Sequence, residues 1–126
     1  MDTIEALFER FGKLLTENVR DRELHYFERF LDQEVPLAAR YKDELGNMTL
    51  EQIEMMKEMA TRLVDGVLHD MLLLLEDEDW INLRLLGDEV VIDDIRRASK
   101  GPMQGYVFIW AEKYSKQRLV DYTERS

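Results

Sequence analysis

The chain has 126 residues, no cysteine and a net charge of −10, with 27 acidic and 17 basic side chains. That length suits a single domain over residues 1–126, large enough to bury a core unaided. The missing cysteines exclude disulfide frameworks, zinc ribbons, thiol nucleophiles and iron–sulfur ligation, and the acidic balance argues against nucleic acid as a partner.

The start, Met1-Asp2-Thr3-Ile4-Glu5, lacks the positive charge and apolar run of a signal peptide. Residues 71–75 form an apolar run of five, far below the roughly twenty of a membrane span. The expectation is a cytoplasmic protein with no membrane partner. Ile4, Leu7, Phe8, Phe11, Leu14 and Leu15 recur at helical spacing, with Thr3 or Asp2 as N-cap and Glu5 in the first turn. The phase then slips. Leu24, Phe27, Phe30 and Leu31 form a second stripe, so either the helix breaks near residues 20–22 or one long helix changes packing partner; the break is favoured slightly. Pro36 ends this segment and opens another helix, which stops at Gly46-Asn47.

Thr49-Leu50-Glu51-Gln52 is a capping-box pattern. It opens a helix to about Leu75, in which Ile53, Met56, Ala60, Leu63, Val64, Val67, Met71 and Leu74 keep one apolar face. Glu51, Glu54, Glu58, Arg62 and Asp65 lie opposite. The all-apolar end, residues 71–75, is expected to be buried on most sides. Ile81, Leu83 and Leu85 alternate with polar residues as in a half-buried strand. Gly87-Asp88 reads as a hairpin turn and residues 89–92 as the return strand. Tyr106, Val107, Trp110 and Tyr114 predict a C-terminal helix over about 104–118, after which residues 121–126 fray. The fold class is therefore α+β, mainly α: a helical domain with a small antiparallel β-hairpin near residues 80–92 and a C-terminal helix.

Few residues suggest chemistry. Asp65 and His69 stand one helical turn apart, with Glu58 a heptad earlier, the minimum of a metal site. The commoner arrangement is a histidine hydrogen-bonded to Asp65 or to a carbonyl. The carboxylate pairs Asp77/Asp79, Asp88/Glu89 and Asp93/Asp94 follow from composition and read as caps and solvated turns. No phosphate-cradling glycine loop or nucleophile elbow occurs. No catalytic residue, metal ligand or cofactor is assigned. Met55, Met56, Met59 and Met71 read as ordinary core rather than an adaptable groove.

The charge is localised. Residues 65–94 hold ten acids (Asp65, Asp70, Glu76, Asp77, Glu78, Asp79, Asp88, Glu89, Asp93 and Asp94) against one base, Arg84. Four of them follow one another at a helix C-terminus, where the dipole favours cations. Trp80 comes next. It either anchors the hairpin in the core or forms, with Glu76, Asp77, Glu78, Asp79, Asp88, Glu89 and Asp93, a surface for a basic protein.

Residues 65–75, Asp65-Gly66-Val67-Leu68-His69-Asp70-Met71-Leu72-Leu73-Leu74-Leu75, match a D-G-x-x-H-D-x-L-x-x-L helix. An acidic strand-forming segment, a Ser99-Lys100-Gly101 turn and a helix containing Trp110-Ala111-Glu112-Lys113-Tyr114-Ser115 follow. Over about residues 62–116 this resembles a group of small bacterial proteins, some of which look like immunity proteins of toxin systems. The resemblance implies a non-catalytic interaction protein, most concretely an immunity- or antitoxin-type inhibitor of a basic effector. The alternatives are a metal-dependent enzyme using Glu58, Asp65 and His69, and a structural homodimer joined through the hairpin edge or the Tyr106/Trp110 face.

Overall fold

The computed structural model describes residues 3–123. It is mainly α, with one antiparallel two-stranded hairpin among the described residues. Helix α1 (Ile4–Leu15) begins at Thr3, whose hydroxyl accepts a hydrogen bond from Ala6 N at 3.0 Å. The break favoured near residues 20–22 does not occur. The helix continues through a π-helical turn, Thr16–Arg20, into α2 (Asp21–Leu31). In that turn Asp21 N reaches back to Thr16 O, so the turn holds one residue more than an α-turn. The extra residue rotates the apolar stripe and produces the phase slip.

Helix α2 closes with Glu34 N bonded to Arg29 O and Gln33 N to Phe30 O, around a left-handed Gln33. Pro36 opens the next segment as expected, but Pro36–Tyr41 winds as a 3-10 helix and only α3 (Lys42–Gly46) is α-helical. Helix α4 (Leu50–Asp77) carries the complete capping box: Gln52 N donates to the Thr49 hydroxyl, and Thr49 N donates to the Gln52 side chain.

Most of the apolar face read for α4 does not face the core, although Val64 packs against it. Thr61, Asp65, Leu68 and Leu72 are its buried residues, whereas Met56, Met59, Leu63, Val67, Met71 and Leu74 are exposed. The end of the helix is thus buried on one side only. Nor are Met55, Met56, Met59 and Met71 core: all four are exposed. The helix has two apolar faces, and hydropathy cannot rank them. The core instead selects the side on which Asp65 meets a buried arginine.

The hairpin is shorter than its alternation suggests. Strands β1 (Leu85–Leu86) and β2 (Val91–Ile92) pair Leu85 with Ile92 and Leu86 with Val91. Residues 81–86 still alternate half-buried and exposed. Beyond Ile92 the ladder gives way, because the Asn82 side chain takes the Asp93 carbonyl at 2.6 Å and Asp94 caps a 3-10 turn, Ile95–Arg97. Helix α5 (Tyr106–Tyr114) is also shorter than the predicted 104–118, since Ser115 turns extended. The fraying expected over 121–126 lies partly outside the described residues.

One core cluster joins α1, α4, β2 and α5 through Leu7, Phe8, Leu68, Leu72, Ile92, Ile95, Met103, Val107 and Trp110. Trp110 is fully buried at its centre and meets Phe8, Tyr106 and Phe11 edge-on or tilted, with centroids 5.0, 5.3 and 5.9 Å away. Its indole N–H donates to Glu9 at 3.0 Å, and Lys113 and Tyr114 donate to the same carboxylate at 2.6 Å each. With Trp110 inside, the Tyr106/Trp110 face is not an open surface for a homodimer.

Candidate functional site

The acidic residues predicted from the sequence sit where α4 ends and the hairpin begins. Glu78 leaves the helix with extended dihedrals, so residues 78–80 swing away from the helix axis. Glu76 turns inward and accepts a hydrogen bond from Met103 N at 3.1 Å, tying α4 to the 3-10 turn before α5. Its role is in holding the fold as well as in charging the surface. Asp77, Asp79, Asp88, Glu89 and Asp93 are exposed, and Glu78 is half-buried.

Arg96 organises one end of this surface. Its Nε and Nη2 donate to the Asp94 carboxylate at 2.9 and 2.7 Å, and its Nη1 reaches Asp79 at 3.3 Å. Asp94 is held below the usual carboxylate range chiefly by these Arg96 hydrogen bonds. On the neighbouring strand Arg84 pairs with Asp93 at 3.0 Å. Asp79, Asp93 and Asp94 are therefore laced to the hairpin base, while Asp88 and Glu89 lie at its tip, where Gly87 N bonds Val90 O. The signal available in the sequence was the run Asp93-Asp94-Ile95-Arg96, an acid two residues before a base at a helical start.

Trp80 is not a core anchor. It is 82% exposed, and its indole N–H donates to Glu78 at 3.2 Å. The hairpin is held instead by Ile92 and Ile95, with Leu83, Leu85 and Val90 packed on the same cluster.

A second cluster is buried. Arg20, at the end of the π-helical turn, meets Asp65 of α4 with Nε···Oδ1 2.6 Å and Nη2···Oδ2 3.3 Å. Arg20 also donates to Ser115 Oγ and to the Arg118 carbonyl, both at 2.8 Å. Ser115 in turn donates to Asp21 at 2.7 Å, and Tyr122 donates to Asp65 at 2.5 Å. Burial, and then the Asp65 hydrogen bond, push the Tyr122 hydroxyl well above the usual phenol range. A cleft of about 440 Å³ opens beside these residues, walled by Phe108, Ala111, Leu119 and Val120. Arg20, Asp65 and Tyr122 on its wall are bonded to one another, and Glu112 and Asp121 also line it. The phase slip at residues 20–22 was the only trace of this cluster in the sequence.

Glu58, Asp65 and His69 are not gathered. Asp65 is engaged by Arg20 and Tyr122, Glu58 lies 4.0 Å from Arg62, and His69 Nδ1 is 3.0 Å from Asp70. No group of three metal-ligating side chains forms among the described residues. Among the same residues no helix is long and apolar enough to cross a membrane. No family model matches the chain, and neither a curated protein nor a solved structure is significantly similar to it.

Proposed function

We propose that the chain is a cytoplasmic protein-interaction module that binds a basic protein through the acidic hairpin end. The observation that carries this reading is the exposure of Trp80 beside Asp77, Glu78 and Asp79. Tryptophan is enriched among the residues that dominate interface energies. A field of one sign around it accelerates encounter with a partner of the other sign and rejects like-charged competitors. Asp88 and Glu89 at the hairpin tip and Asp93 at its base extend that field along the hairpin. The most concrete form is an immunity- or antitoxin-type inhibitor. It would cover the cationic surface with which an effector holds nucleic-acid phosphates, acting by stoichiometric masking.

The test is a pull-down from the native cell with the unaltered chain and with Asp77, Asp79, Asp88 and Asp93 changed together to Lys. A basic protein retained by the first and lost by the second is expected, with capture weakening as salt rises. Equal capture by both would rule the surface out.

A further inference from the structure

Helix α4 keeps an apolar face outside the fold. Leu63 and Val67 at its middle are 67% and 62% exposed, and Met56, Met59, Met71 and Leu74 continue the stripe in both directions. These six side chains leave on the order of 600 Å² uncovered, the upper end of what monomers carry. With the flanking residues of α4, each copy approaches the ~800 Å² per partner of a stable interface.

The stripe is symmetric. Its steps from Met56 to Leu74 are 3, 4, 4, 4 and 3 residues, the same read from either end. A two-fold axis level with residue 65, on the side of the helix opposite the buried Asp65, would therefore set Leu63 on the second copy's Val67, Met59 on its Met71 and Met56 on its Leu74. An interface between identical copies needs such self-complementarity.

Charge selects the direction. Parallel packing would bring together two copies of Glu76, Asp77, Glu78 and Asp79. Antiparallel packing separates them by about 40 Å, the length of a 28-residue helix. It also moves each acidic C-terminus to the partner helix's N-terminus, where anions are favoured. We infer that the chain is a homodimer built on antiparallel α4 helices, with the two acidic hairpin ends facing outward at opposite ends. This does not depend on the acidic surface having a partner.

Sedimentation of the full chain at several concentrations should give a mass twice the 15.0 kDa of one chain. Leu63→Glu and Val67→Glu should each return it to a single chain with the helical circular dichroism retained. A native chain that stays monomeric, or dimers that survive both substitutions, would overturn the proposal. The chain has no cysteine, so direction can be read separately. Met59→Cys and Met71→Cys chains, refolded together and oxidised, should form mainly the mixed disulfide pair. A preference for Met59→Cys homodimers would refute the antiparallel arrangement.

Discussion

Arg20 and Asp65 stand 45 residues apart in sequence and meet at 2.6 Å with both side chains almost wholly out of water. Removing one partner of such a pair leaves the other charge buried and unanswered, at a cost of about 3–5 kcal/mol. Asp65→Asn should therefore lower stability by that order in urea unfolding. Arg20→Met should cost at least as much, because it strands both Asp65 and the buried Asp21, whose carboxylate lies 3.6 Å from Arg20. A loss below about 1 kcal/mol in both variants would contradict this account.

Two groups should shape the dependence of stability on pH. Tyr122 titrates higher in the folded chain than the ordinary value of 10.0, because burial and the Asp65 hydrogen bond both disfavour its phenolate. Its contribution is complete below pH 10 and is lost as pH rises beyond it. Burial alone would raise Glu9, but hydrogen bonds from Lys113, Tyr114 and Trp110 outweigh it and hold Glu9 below its ordinary 4.5. That contribution is present above pH 4.5 and is lost as pH falls below it. Tyr122→Phe should flatten the alkaline limb and Glu9→Gln the acid limb of unfolding free energy against pH.

Gly12 lies under the Trp110 ring, and a β-carbon there would stand 2.2 Å from it. Gly12→Ala should destabilise by about 2 kcal/mol or more, as overpacking does, against the gain expected from helix propensity. Gly66 is the control. It sits within α4 with nothing near its missing β-carbon, so Gly66→Ala should stabilise by about 0.5–1 kcal/mol. Thermal melts of both variants check the pair, and equal shifts would remove the claimed contact.

Trp80→Ala should leave the melting temperature nearly unchanged, within about 0.5 kcal/mol, since surface substitutions away from structural contacts rarely exceed that. The same substitution should abolish capture of a basic partner. A large loss of stability would return Trp80 to the role of a hairpin anchor.

What was legible without coordinates was local. The Thr49 capping box, the stop after Gly46, the hairpin position and the α5 spacing each depend on residues a few positions apart, and each is present in the structure. The acidic segment was legible too, because charge is counted rather than folded. Tertiary contacts decided the rest. Residues 16–20 form a π-turn, which converts an apparent break into a continuous helix. The buried face of α4 is the one on which Asp65 meets Arg20 from another helix and Leu68 and Leu72 enter the core, which leaves most of the expected core stripe outward. Trp80 was left in water because Ile92 and Ile95 already close the core beneath the hairpin. The sequence by itself determined where helices start, stop and carry charge, since those depend on neighbours along the chain. Only the fold decided which apolar face and which aromatic remained exposed, since burial depends on partners far away in sequence.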